Sequence, residues 1–234
     1  MSVECHNAFI LHRRPYGETS QLLDLFCQDV GKVSLIFKGG RSGTRMRRGT
    51  AQPFTLLQAT YFGRGSLKTV KSLEAQTQVV PLSGNRLYMA MYINELLYRL
   101  LQAETACDGL FNIYQDTLLS IAGDDDPQIG LRNFELTLLE TLGYGVNFDE
   151  DIYSGEPLEC GFDYQYLQQE GFFAKQAIHN KHHIYTGKQI QALAYRDFSE
   201  ADSLLAAKRF CRQALAHLLG GKPLHSRALF TASK

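Results

Sequence analysis

The sequence predicts an α+β protein in two parts. A five-stranded β-barrel is expected over residues 1–80. A mainly α-helical domain follows over 81–234, with a small irregular, partly extended insert at about 145–185. Three observations carry this. Apolar residues alternate with period 2 through the first 80 positions. After Pro81-Leu82-Ser83-Gly84 they recur at helical spacings of three to five. Charge also changes sign along the chain: 11 Lys+Arg against 5 Asp+Glu over 1–80, 7 against 18 over 81–200, and 6 against 1 over 201–234. The formal net charge of zero thus hides two basic ends and an acidic middle.

The barrel elements read in order. Asn7–His12 is a short apolar strand, and Arg13-Arg14-Pro15-Tyr16-Gly17-Glu18 reads as a turn because Pro15 and Gly17 punctuate it. Gln21–Cys27 is the second strand, and Gln28-Asp29-Val30-Gly31 turns into the third, Gly31–Phe37, with Val33, Leu35 and Phe37 on one face. A basic, glycine-rich run follows, Lys38-Gly39-Gly40-Arg41-Ser42-Gly43-Thr44-Arg45-Met46-Arg47-Arg48-Gly49, with five cations and no acid. Pro53–Phe62 is the fourth strand, Gly63-Arg64-Gly65 a tight turn, and Leu67–Ala75 the fifth strand, with Lys68 and Ser72 off the face of Leu67, Thr69 and Leu73. Five short strands with one long loop fit the oligonucleotide-binding (OB) barrel. An SH3-like barrel fits the strand count almost as well.

Helices are expected from about Asn85 to Glu104, and over Leu110–Ile121. A third begins at Asp126-Pro127, with the stripe Leu131, Phe134, Leu138 and Leu142 and a stop at Gly143. From Tyr144 to about Tyr185 the pattern is irregular, with extended pieces at Phe162–Tyr166 and Gly171–Ala174. The last helix is expected with Ser199 as cap and Asp202 three residues on. Its apolar side is Leu204, Leu205, Cys211, Leu215 and Leu219, and Gly220-Gly221 ends it.

Composition excludes little. The chain is 44% hydrophobic and 21% charged, as an ordinary folded protein is. No apolar run approaches the ~20 residues of a membrane span, and Met1-Ser2-Val3-Glu4-Cys5-His6 lacks a signal-peptide pattern. Five scattered cysteines argue for a reducing compartment, so a cytoplasmic protein is expected. Phosphate-binding P-loop, GxSxG, HExxH and GxGxxG patterns are absent, and an enzyme is not expected. Cys160, His179, His182 and His183 fall within 24 residues, but Cys160 has no CxxC partner and Lys181 lies inside the cluster; surface histidines are the preferred reading and no cofactor is expected.

Nucleic-acid binding is the function the charges favour. The candidate residues on the barrel are Arg13, Arg14, Lys38, Arg41, Arg45, Arg47, Arg48, Arg64, Lys68 and Lys71; those on the last helix are Lys208, Arg209 and Arg212. Aromatic rings can stack on bases. Phe37 and Phe54 read as core, while Tyr61 and Phe62 straddle two faces of their strand.

These residues also carry a resemblance over essentially the whole chain. Phe9-Ile10-Leu11-His12 with Glu18-Thr19-Ser20, Lys38-Gly39-Gly40-Arg41-Ser42, Gln52-Pro53-Phe54-Thr55, Tyr92-Ile93-Asn94-Glu95-Leu96, Phe134-Glu135-Leu136, Leu142-Gly143-Tyr144-Gly145 and Gly220-Gly221-Lys222-Pro223-Leu224 resemble the bacterial RecO family of DNA-repair and recombination proteins. The resemblance implies an N-terminal OB domain, a helical C-terminal domain and a non-enzymatic recombination mediator. Such a mediator binds single- and double-stranded DNA, anneals complementary strands and helps load RecA. The implied partners are RecR and the acidic, apolar-ended tail of the single-stranded DNA-binding protein. Some members carry a four-cysteine zinc module near 145–180; here only Cys160 stands there, so no zinc is expected and packing should hold the insert. For the partner tail, Arg132 beside Leu131, Leu136 and Leu139 offers a cation on an apolar stripe, with an Arg132–Glu135 pair at i+3 as the equal alternative. The other readings are an OB-fold adaptor for structured RNA and a metal-dependent enzyme.

Overall fold

A computed structural model describes residues 3–40, 52–77, 80–123, 126–174 and 184–232. By compactness the chain forms one unit from Met1–Pro127 with Pro223–Lys234, and a second from Gln128–Lys222.

In the first unit, β1 (Val3–Tyr16), β2 (Ser20–Cys27), β3 (Gly31–Phe37), β4 (Leu57–Phe62) and β5 (Leu67–Ala75) form a closed barrel in the order β1-β2-β3-β5-β4. Neighbours are antiparallel except β3 and β5, which pair in parallel. This is the OB arrangement. Leu23, Leu25, Leu35, Leu57 and Tyr61 fill the interior at 0% exposure.

β1 is longer than its apolar centre suggests. Arg13–Tyr16 continue the ladder with β2, and the turn is only Gly17–Thr19. Pro15 is tolerated because β4 pairs only Val3–Ala8, so the other edge of β1 needs no N–H there. A bulge at Leu11 shifts the register between Ile10 and His12. The carbonyls it frees are taken by Asn94, whose Nδ2 donates to Ile10 O (3.1 Å) and Leu11 O (3.4 Å) while Oδ1 accepts from Tyr114 (2.5 Å).

Asn94 lies on α1 (Gly84–Leu100), and Tyr114 on α2 (Leu110–Ala122). Phe9 and Phe26, on the outside of the barrel, pack against Phe111 and Tyr114. Strands covered on both faces are buried at successive positions, as Ala8–Leu11 is throughout and Leu22–Cys27 is around the single charge of Asp24. Past α1, Ala103 bridges to Lys32, and the Glu104 N–H bonds Lys32 O at 2.9 Å. Thr105 passes so close to Gly31 (φ +79°) that a Cβ there would lie 2.0 Å from its carbonyl oxygen.

The next α1 residue, Glu95, receives the N-terminus of a short helix, α6 (His225–Ala232). Its carboxylate accepts from the N–H groups of His225 and Ser226 and from the Ser226 hydroxyl, at 2.7–3.0 Å. Burial pushes the Glu95 carboxyl up, but these donors outweigh it and hold it below the ordinary range. The collinear Asn94-Glu95 pair therefore has two structural duties, one towards β1 and one towards α6.

In the second unit, α3 (Pro127–Thr141) starts at Pro127 as its proline predicts and closes at Gly143 (φ +81°). The insert is more regular than expected. Strands β6 (Asp163–Leu167), β7 (Gly171–Ala174) and β8 (Ile184–Thr186) form a sheet in the order β7-β6-β8. An aromatic cluster of Phe148, Tyr166, Phe172, Tyr185 and Phe210 fixes it, with ring centroids 4.9–5.9 Å apart. Asp151 ties the preceding loop: Oδ1 accepts from the N–H groups of Tyr153 and Ser154, and Oδ2 from that of Ala174 at 2.6 Å.

Two helices escape the periodicity reading. α6 is one. The other is α4 (Gly187–Tyr195), opened by a capping box in which Thr186 and Gln189 satisfy each other's backbone N–H groups. On α5 (Ala201–Leu218) the cap is Glu200, not Ser199, whose hydroxyl instead donates to Asp197 at 2.7 Å. Asp202 accepts from Gln189 at 2.8 Å rather than reaching back. The buried side is Ser203, Ala206, Ala207, Phe210, Cys211, Ala214 and Leu215; Leu205, expected inside, is 62% exposed. No described helix is long and apolar enough to cross a membrane.

Candidate nucleic-acid interface

The strand directions divide the barrel cations between two ends. The β1–β2 turn, the end of β3 and the end of β5 lie at one end; the β2–β3 and β4–β5 turns lie at the other. Arg13, Arg14, Lys38 and Lys71 belong to the first end, Arg64 and Lys68 to the second.

At the first end, register also assigns faces. Leu23 and Leu25 point into the barrel, so Leu22 points out, and Arg14, paired with Leu22, shares that outer face. Two residues on, Tyr16 pairs with Ser20 on the same face. Gln21 pairs with Phe37, so the same register carried one residue further sets Lys38 beside Ser20. Arg13, paired with the inward Leu23, lies on the rim instead. Arg14, Tyr16, Lys38 and Lys71 are all exposed. Among the described residues no carboxylate is paired with Arg14, Lys38 or Lys71. Arg41, Arg45, Arg47 and Arg48 lie outside the described residues.

Lys71 owes its position to a second bulge. Thr60 pairs with Ser72 but Tyr61 pairs with Val70, leaving Lys71 as the extra residue. The bulge puts Leu73, Val70 and Lys68 all on the inner side. Simple alternation groups Leu67 with Leu73, yet Leu67 is exposed.

Lys68 is therefore a correction to the predicted DNA-contacting set. It is 7% exposed, its Nζ lies 3.3 Å from Glu4 and 3.2 Å from Glu104, and it sits over the Tyr61 ring at 5.3 Å. Burial pulls the ammonium down, but Glu104 and Glu4 outweigh it and raise it above its ordinary 10.5. The same apolar surroundings push the Cys27 thiol up to about 12. Neither ring of the fourth strand offers a platform: Tyr61 is fully buried and Phe62 is half-buried. The exposed aromatic among the described residues of the first unit is Tyr16, on the strand where a turn is expected from Pro15 and Gly17. Its signal was present: it follows Arg14 by two, and so shares a strand face with it.

In the second unit, Lys208 and Arg212 lie exposed at i,i+4 on the solvent side of α5. Arg209 is engaged elsewhere. Its Nη2 donates to Ile184 O at 2.8 Å and its guanidinium stacks 4.3 Å over Tyr185, which fastens α5 to the sheet. Arg209 is half-buried, unlike Lys208 and Arg212 beside it on the helix.

The residues expected to seat a partner tail are also placed differently. Leu131, Arg132, Leu136 and Leu139 are 2–5% exposed, and Arg132 Nη1 lies 2.8 Å from Glu135 Oε2. The i+3 ion pair forms, and α3 does not present these four as an open groove. Cys160 is exposed, its thiol 3.4 Å from Gln191. No metal-holding group of His, Cys, Asp or Glu occurs among the described residues. His179, His182 and His183 lie outside them.

Comparison with known proteins bears on the whole chain. The family model described as Recombination protein O N terminal matches residues 1–78, and that described as Recombination protein O C terminal matches 81–228. The chain belongs to the RecO family. The DNA repair protein RecO of Psychromonas ingrahamii is 80% identical over 232 residues, covering 99% of this chain and all of that protein. RecO of Shigella flexneri and of Escherichia coli O1:K1 are 50% and 49% identical over 224 residues, 95% of this chain and 92% of each relative. The RecO models meet at the change from strand to helix around Pro81, whereas compactness groups the barrel with α1, α2 and α6. RecO membership supports a role in DNA repair and recombination.

Proposed function

We propose that this chain is a DNA-binding recombination mediator with no bond-making step of its own. It binds single- and double-stranded DNA, anneals complementary strands, and helps load RecA on DNA covered by single-stranded DNA-binding protein, with RecR as a further partner. The observation that carries the DNA-binding part is the outer face of the barrel's loop end, where Arg14 and Lys38 flank Tyr16 and Lys71 lies at the same end. Arg13 adds to that end, against Glu18 and Glu74 as exposed acids. Arg41, Arg45, Arg47 and Arg48 extend the positive charge in sequence directly after Lys38-Gly39-Gly40. Lys208 and Arg212 supply a separate cationic surface on the second unit. Arg14, Lys38 and Lys71, with no carboxylate partner among the described residues, can neutralise phosphates and release condensed counterions. Annealing, RecA loading and the protein partners rest on family membership alone, and no seat for the partner tail is assigned on α3.

The test is fluorescence anisotropy with single-stranded DNA across a salt series. If about six phosphates are neutralised, log K falls with log salt at a slope near −4. A flat response refutes the reading. A competing structured RNA that displaces the DNA at far lower concentration would reassign the chain to RNA.

A further inference from the structure

We infer that Tyr16 is the stacking platform that makes this surface prefer single-stranded over duplex DNA; the inference rests on the DNA-binding reading above. Tyr16 is 47% exposed at the last rung of the β1–β2 ladder, and its backbone is fixed opposite Ser20. Arg14 stands two residues back on the same face, about 7 Å along the strand. Lys38 stands two strands across in the same row, about 10 Å away. An aromatic ring held on a rigid strand between two cations meets both needs of a single strand: a π-face for an unpaired base and positive charge for the phosphates either side. A duplex keeps its bases stacked on one another, so it can use the cations but not the ring. The ring is also poorly explained as packing, because in the adjacent row it is Gln21 and Phe37, on the opposite face of the strands, that turn towards the barrel interior.

The experiment compares the full chain with Tyr16→Ala, Tyr16→Phe and Lys38→Ala by anisotropy, using a labelled oligothymidine of about 20 nucleotides and a mixed-sequence duplex of equal length. Tyr16→Ala is expected to weaken single-strand binding about tenfold, within the range of one lost base stack, at an unchanged salt slope, since no charge is removed. Duplex affinity stays within twofold. Tyr16→Phe keeps the ring and stays within twofold on both ligands, which also shows that the hairpin still folds. Lys38→Ala lowers the single-strand slope by about 0.7 and weakens both ligands.

The inference is overturned if Tyr16→Ala leaves single-strand affinity unchanged, if single strand and duplex fall equally, or if Tyr16→Phe falls as far as Tyr16→Ala. In each case a normal Lys38→Ala response leaves the DNA-binding reading standing. Salt-independent or undetectable DNA binding by the unaltered chain removes that reading and this inference together.

Discussion

The two ends of the barrel start from similar sequence and finish with opposite physics. Around the loop end, Arg14 and Lys38 flank an exposed tyrosine, and the described residues offer them no carboxylate. At the other end Lys68 also borders a tyrosine, yet it is enclosed by Glu4 and Glu104. A lysine beside an aromatic strand residue is thus open to solvent in one place and a structural clamp in the other. What decides is whether burial forces the charge to find a partner, since an unpaired buried ammonium is too costly to keep. The second unit repeats the contrast: Lys208 and Arg212 face solvent, while Arg209 and Arg132 are spent on Tyr185 and Glu135.

The sharpest way to break the contrast is to remove a clamped cation. Arg132→Ala removes the guanidinium 2.8 Å from Glu135, whose side chain is 1% exposed, and about 3–5 kcal/mol of stability is expected to go. Replacing both, as Arg132→Met with Glu135→Leu, is expected to recover most of that loss. Chemical denaturation of the two variants decides it. If Arg132→Ala unfolds no earlier than the parent, the pair is not holding the second unit.

Lys68→Met comes next. Glu4 and Glu104 keep 30% and 40% side-chain exposure, so the loss is expected near 2–3 kcal/mol, below that of a fully enclosed pair. DNA affinity and salt slope should not change. The pH dependence follows from the raised Lys68 ammonium: a group raised on folding stabilises fully below its unfolded value, and that contribution fades as pH climbs through the higher folded value. The gap between parent and Lys68→Met should therefore hold steady from pH 7 to 9 and shrink only above about 10.5. A gap that closes below pH 9 would detach Lys68 from its two carboxylates.

Much of this was legible beforehand. Period-2 alternation located five strands, Pro127 and Gly143 bounded α3, and collinear motifs pointed to the family. The fate of Lys68 was not legible, for two physical reasons. The Lys71 bulge inverts the strand's phase, so alternation assigns Lys68 to the wrong side. Its partner Glu4 is 64 residues away in sequence, a distance only the closed barrel spans. The Arg132 pair, by contrast, sits at i+3 and was offered by helix geometry. What periodicity could not supply there was the burial that makes the pair outweigh an open groove. Short elements were missed for want of length: α6 has eight residues, and α4 announced itself only through Thr186 and Gln189.

The open cations should behave in the reverse way. Arg14, Lys38 and Lys71 changed together to Ala should leave the melting temperature close to the parent's, because exposed side chains away from ion pairs contribute little to stability. Single-strand binding should fall by roughly 50-fold at ~0.15 M salt, with the slope shallower by about 2, as three fewer phosphates are neutralised.

The smallest effect is expected from Arg64→Ala, and it tests the division between the ends most narrowly. Arg64 is exposed and sits in the β4–β5 turn, at the barrel end opposite Lys38. Net charge alone predicts that any exposed arginine strengthens DNA binding equally. A site confined to the loop end predicts that Arg64→Ala changes affinity by less than twofold and leaves the slope untouched. Lys38→Ala, which removes the same unit of charge, lowers the slope by about 0.7. Equal losses from the two variants would mean that the strand runs the length of the barrel and that its ends are not functionally distinct.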